Sequence, residues 1–188
     1  LVTLMKPTSG VVLIDGKDIQ QHRKWLRSIL GYLPQDFRFF TSLKTWEFLD
    51  YSGALAGLKN KKERIAEVDR LLDQVGLLEV RDRQANKLSG GMKRRLGIAQ
   101  ALIGNPRLIV VDEPTTGLDP ITSDVINELI LKLKHELKVT RIVVTHDMSS
   151  AYKISDHIAM SFQGKIIGHT GDIIADKLRQ IVVRNQAE

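Results

Sequence analysis

At 188 residues, with 43% apolar and 27% charged side chains and no cysteine, the chain has the composition of one globular domain and carries neither a disulfide framework nor a thiolate metal site. Its net charge of +6 comes from 28 basic residues scattered among 22 acidic ones. The densest basic cluster, Lys59, Lys61, Lys62 and Arg64, reads as a solvated helix face, and no nucleic-acid partner is expected. No apolar run approaches the ~20 residues that cross a bilayer, so action at a membrane needs another polypeptide or segment to span it.

The chain opens at Leu1, not Met, with an apolar segment already under way, and is expected to continue upstream. Val11-Val12-Leu13-Ile14 lies between the turn signals Ser9-Gly10 and Asp15-Gly16 and predicts a short strand; Ile29 to Leu33 predicts a second, closed by Pro34-Gln35. From Thr41 to about Val80 the pattern turns helical, most clearly in the stripe Ile65, Val68, Leu71, Leu72 and Val75. Leu88-Ser89-Gly90-Gly91 precedes a helix expected from about Met92 to Ile103, stopped by Gly104-Asn105-Pro106. Leu108-Ile109-Val110-Val111 is fully apolar and of strand length, as in parallel strands covered on both faces. A helix from Ile121 to about Leu137, a strand Ile142–Thr145, and a hairpin of 157–161 with 165–168 follow. This order gives an α/β domain with a mainly helical lobe inserted between about 41 and 95.

Polar groups stand just past the apolar runs: Gln35, Asp112 with Glu113, Asp119 and His146. In open α/β sheets, ligands bind beyond the carboxyl ends of the strands, so these residues form a candidate site. Neighbouring residues on an extended backbone point in different directions, so Asp112 and Glu113 can divide two tasks, oxygen ligation of Mg²⁺ and polarisation of an attacking water. Ser89-Gly90-Gly91 at a helix start offers unpaired N–H groups and close backbone approach, which suit phosphate. His146 can donate to a phosphate or orient a water beside Glu113, and Gln35 can contact Mg²⁺ or water.

Together these residues resemble the motifs of ATP-binding cassette proteins. Tyr32-Leu33-Pro34-Gln35 is similar to the Q-loop, Leu88-Ser89-Gly90-Gly91-Met92 to the signature motif, and Leu108 to Glu113 to the Walker-B strand with its glutamate. Gly117-Leu118-Asp119 is similar to the D-loop, and His146 to the switch histidine. The resemblance implies a P-loop NTPase (RecA-like) core over 1–40 and 96–188, an inserted helical subdomain over 41–95, and an ATPase. It implies that Asp112 serves Mg²⁺ with Gln35 nearby, that Glu113 activates water, that His146 holds water and γ-phosphate, and that Ser89, Gly90 and Gly91 act on ATP held by a second ATP-binding subunit. Two departures stand out. Met92 replaces the commoner glutamine, and no G-x-x-x-x-G-K-[ST] occurs anywhere. The P-loop is therefore expected before Leu1, leaving residues 1–188 alone with weak ATP binding and no hydrolysis.

The segment between Gln35 and Ser89 is too short for the long coiled coils of repair and chromosome-organising relatives. The resemblance instead implies a transporter subunit, peripheral on the cytoplasmic face of a membrane and docked on a transmembrane permease. The run from Met92 to Pro120 looks most like exporter subunits. Phe39, Phe40, Trp46 and Tyr51 are candidates for the docking surface.

Overall fold

The computed structural model describes residues 10–37, 42–137, 139–163, 165–170 and 180–184. The first expected strand is shorter than its apolar run: β1 (Leu13–Ile14) pairs antiparallel with β2 (Lys17–Asp18). Helix α1 (Arg23–Ile29) then leads directly into β3 (Leu30–Leu33). The sequence does not announce α1, because it buries only Leu26 and seven residues are too few for a periodic stripe.

The main sheet has the strand order β3-β4-β5-β8-β6-β7, where β4 is Leu108–Asp112, β5 Thr140–Thr145, β6 His157–Phe162, β7 Lys165–His169 and β8 Gln180–Arg184. Strands β3, β4, β5, β8 and β6 run parallel, and β7 closes the edge as the antiparallel arm of the expected hairpin. Leu108 to Val111 are all buried, as an apolar run between covered faces requires. Strand β8 has no counterpart in the sequence reading. It lies between β5 and β6, and its short apolar centre Ile181-Val182-Val183 carries no flanking hairpin signal.

The segment read as helical contains α2 (Thr45–Leu55) and α3 (Lys61–Gln74), followed by two 3₁₀ turns and α4 (Gly90–Leu102). Asn60 caps α3, its side-chain oxygen accepting from the N–H groups of Lys62 and Glu63. The stripe of α3 is used as its spacing demands: Val68, Leu71, Leu72 and Val75 are buried. Burial of each such side chain is worth roughly 1.5–3 kcal/mol. The basic cluster only partly meets expectation. Lys59, Lys61 and Lys62 are exposed, but Arg64 turns inward, pairs with Asp50 of α2 at 2.6 Å and donates to the Leu58 carbonyl.

Helix α4 contacts β3, α2 and α3, as well as α5 (Pro120–Leu137), and runs unbroken past residue 95. It lies unusually close to the sheet because β3 carries Gly31, where a Cβ would fall 1.8 Å from the Ala101 carbonyl oxygen. One hydrophobic core therefore runs from Leu49, Leu71 and Leu72 through Leu96 to Val111 and Val143. A final short helix, α6 (Met148–Ile154), follows β5 and was not foreseen.

Two expectations need correction. Helix α4 begins at Gly90, not near Met92: Ser89 is its N-cap, its Oγ accepting from Met92 N at 3.3 Å, so both glycines belong to the first turn. The first N–H groups of a helix lack partners in any case, so glycine there costs little and the turn-like reading misled. Trp46 is not an exposed aromatic. It packs partly buried on the core with the Arg81 guanidinium 5.6 Å from its ring centre. Tyr51 is exposed, and Phe39 and Phe40 lie outside the described residues.

Candidate active site

The parallel pairing of β4 with β5 aligns Asp112 with Val144, which brings the carboxyl ends of both strands to the same edge. Glu113 follows at once. Its N–H donates to the Val144 carbonyl at 2.8 Å, and its backbone turns into the left-handed region at φ 49°. A glutamate held there is strained by roughly 1–3 kcal/mol and persists only where its surroundings over-determine it.

The turn sends the Glu113 carboxylate into a nearly buried position, with 11% of its side chain exposed. One oxygen, Oε2, accepts from Thr116 Oγ at 3.0 Å and from Thr145 Oγ at 3.4 Å. The other, Oε1, lies 2.9 Å from His146 Nδ1. His146 is 62% exposed, so its second ring nitrogen is open to ligand. The Glu113 hydrogen bond and charge hold the His146 imidazolium above the ordinary histidine range. With Nδ1 committed to a carboxylate, the imidazolium can donate from Nε2 at the same time. Thr145 Oγ also accepts from Asp147 N at 3.1 Å, and Asp147 caps α6, so the His146 backbone is fixed on both sides. An open cleft lined by Thr115, Thr116, Leu118, His146, Asp147 and Lys153 adjoins the pair.

Asp112, at the end of β4, is half-buried and close enough to Tyr32 on β3 that its charge adds to burial in raising the tyrosine's pKa. No group of three or more His, Cys, Asp or Glu residues able to hold a metal occurs among the described residues. The strand-end carboxylate of Asp112 still fits Mg²⁺ bound together with nucleotide phosphates, since that ion keeps waters and takes one or two protein oxygens. Gln35 is exposed just past β3 and joins the site through its carbonyl.

The remaining motif residues lie apart from the Glu113–His146 pair. Ser89 and Gly90 are exposed at the start of α4, and among the described residues neither hydrogen-bonds to Glu113 or His146. Gly91 abuts the start of α5, and a Cβ there would meet Thr122 Cγ2 at 2.5 Å. Asp119 is occupied in capping α5: Thr122 donates to it from its hydroxyl at 2.5 Å and from its N–H at 3.0 Å, bonds that hold its carboxyl below the usual range.

The family described as ABC transporter matches residues 1–116. The chain belongs to the ABC transporter family. It is 40% identical over 165 residues to the methionine import ATP-binding protein MetN of Corynebacterium diphtheriae, an alignment covering 86% of this chain and 48% of that protein. It is 36% identical over 166 residues to the retinal-specific phospholipid-transporting ATPase ABCA4 of Homo sapiens, covering 88% of this chain and 7% of that protein. Among solved structures, cbiO1 from Clostridium perfringens, part of the ABC transporter complex cbiONQ, matches with a TM-score of 0.80 at 31% identity, over 89% of this chain and 68% of that one. The dimeric ATP-binding cassette MJ0796, in a post-hydrolysis state bound to ADP and Pi, matches with a TM-score of 0.76 at 30% identity, over 89% of this chain and 75% of that one. The chain thus has the fold of ABC ATP-binding cassettes and spans about half the length of the MetN protein it matches. Methionine importers are prominent among the similar proteins, against the exporter likeness expected from the sequence.

In this ABC cassette, sequence reading missed Thr116, Thr145 and Arg94. Thr145 reaches Glu113 only because β4 and β5 are neighbours, which no local pattern reveals, whereas Thr116 bonds it from three residues on in the same loop. Arg94 had a signal: it shares a helical face with Gly97, Ile98 and Ala101, all buried, and a cation on a buried face needs partners. Burial lowers its pKa, an effect opposed by the charges of Asp112 and Glu113.

Proposed function

We propose that this chain is the ATP-hydrolysing part of an ABC transporter. The observation that carries this reading is the contact of Glu113 Oε1 with His146 Nδ1 at 2.9 Å, at the ends of adjacent parallel strands and beside an open cleft. Glu113 polarises the attacking water, and its desolvated carboxylate strengthens that interaction. His146 fixes the carboxylate through Nδ1 and holds the γ-phosphate through Nε2, a positioning role suited to in-line phosphoryl transfer. Asp112 would hold Mg²⁺, which when bound offsets the phosphate charge, and Gln35 contributes at the rim of the same site.

The exposed Ser89 and Gly90, with the half-buried Gly91, serve the nucleotide of a second ATP-binding subunit, with Asp119 fixing the α5 start beneath them. The solved dimer of MJ0796, with its ADP and Pi, supports a paired arrangement. Transport requires a permease, and the exposed Tyr51 and Leu55, one turn apart on α2, offer it an apolar contact. On this reading the protein works on the cytoplasmic face of a membrane. Likeness to methionine importers favours import over export, with cargo selected by the membrane partner. ATP hydrolysis by the full-length protein, compared with its Glu113→Gln variant, tests the assignment. Loss of turnover with ATP binding retained is expected, and unchanged turnover would remove Glu113 from the chemistry.

A further inference from the structure

One side chain ties the pieces of this site together. Arg94 on α4 is 8% exposed, and its hydrogen-bond acceptors among the described residues are all backbone carbonyls. Its Nε donates to the Pro114 carbonyl at 2.8 Å. One terminal nitrogen donates to the Pro34 carbonyl at 3.1 Å and the Gln35 carbonyl at 3.3 Å. The other donates to the Asp112 carbonyl at 2.5 Å and to the Glu113 carbonyl. A guanidinium has five N–H donors in a rigid planar fork, and all five are used here on five carbonyls.

Three of those carbonyls, from Asp112, Glu113 and Pro114, are consecutive and bracket the residue at φ 49°. A left-handed glutamate needs such outside restraint, and it must hold this backbone for its carboxylate to meet His146. The other two carbonyls belong to the turn after β3 that carries Gln35. Arg94 lies one turn from Gly90 and Gly91, on the same unbroken helix.

We propose that Arg94 is a positioning residue: its five-carbonyl clamp fixes the left-handed turn at Glu113 and couples that turn to the Gln35 segment and to the glycine-led start of α4. A displacement of α4 is thereby felt at the Glu113 carboxylate. This inference rests on the ATPase reading above. A lysine could keep the charge but has only three donors on one nitrogen, and cannot span the five acceptors.

The test uses Arg94→Lys and Arg94→Gln in the full-length protein. Misplacing a reacting group by about 1 Å can cost on the order of a hundredfold, so kcat should fall tenfold or more while KM for ATP changes little. Arg94→Lys added to Glu113→Gln should cost no further activity, because Arg94 acts through Glu113. The ring-proton NMR titration of His146 should shift down toward the ordinary histidine value in both Arg94 variants, as the Glu113 carboxylate leaves it. Folded variants with wild-type kcat and an unmoved His146 titration would overturn the proposal, as would additive losses in the double variant. Unfolding of both variants would assign Arg94 to fold stability and overturn it too. If Glu113→Gln hydrolyses ATP normally, the ATPase reading fails, yet the His146 titration still reports whether Arg94 holds Glu113 in place.

Discussion

The two ends of α4 and β4 that carry this site are built in opposite ways. At the end of β4, Glu113 is buried, strained and restrained from every side by Thr116, Thr145, His146 and Arg94. At the start of α4, Ser89 and Gly90 are exposed, and among the described residues the Ser89 side chain bonds only its own helix. The contacts that fix Glu113 all come from its own chain. The second region presents helix N–H groups that, among the described residues, do not meet Glu113 or His146. In the proposed function, hydrolysis needs the carboxylate of one copy and the helix start of another.

The sharpest way to break this contrast is to remove charge from the closed half. Glu113→Gln should slow hydrolysis by about 10²- to 10⁴-fold and leave ATP-bound dimers to accumulate, visible by size-exclusion chromatography with light scattering. In the open half, the expected damage is steric. Gly91→Ala drives a methyl into Thr122 Cγ2, whose hydroxyl is tied to Asp119 and cannot swing aside. Overpacking of that kind costs roughly 1–3 kcal/mol, and adding Thr122→Ser, which deletes Cγ2, should restore most of it in a urea titration.

A smaller effect comes from pH. The Glu113 contact raises the folded-state pKa of His146, so its stabilising contribution is fully present below the unfolded value of about 6.5. The contribution is lost as pH rises through the raised value. The melting temperatures of wild type and His146→Ala should therefore differ at pH 5.5 and converge on the alkaline side; a gap that widens with pH would mean the histidine is not paired as described. The smallest effect on the fold is expected at the docking face. Tyr51→Glu and Leu55→Glu change exposed positions, where stability moves by about 0.5 kcal/mol or less. They should nevertheless abolish co-purification with a permease, and retained co-purification would move docking elsewhere.

Much of this architecture could be read before the structure. Strands β4 and β5 were legible because continuous apolar runs with polar ends mark buried parallel strands, and α3 because its stripe repeats at helical spacing. Glu113, His146 and the Ser89 helix start were legible for the same reason: each directly follows or opens such an element. What escaped was what depends on distant partners. Helix α1, helix α6 and strand β8 are short and owe their form to neighbours, not to their own periodicity. The Thr145 contact and the Arg94 clamp exist only because separate segments converge, while the Thr116 contact is local to the loop after β4. Trp46 looked like a docking aromatic because composition cannot say which face of α2 the core takes.

The most direct measurement of the two-copy account is a mixing experiment in the full-length protein. One batch carries Glu113→Gln with its helix start intact, the other Ser89→Arg with its Glu113 intact, and each alone should be nearly inactive. Mixed, they can form dimers in which one site combines an intact carboxylate with an intact helix start. Recovery of ATP hydrolysis on mixing is the predicted result. Two inactive proteins that stay inactive together, while still forming mixed dimers by light scattering, would contradict the division of the site between copies.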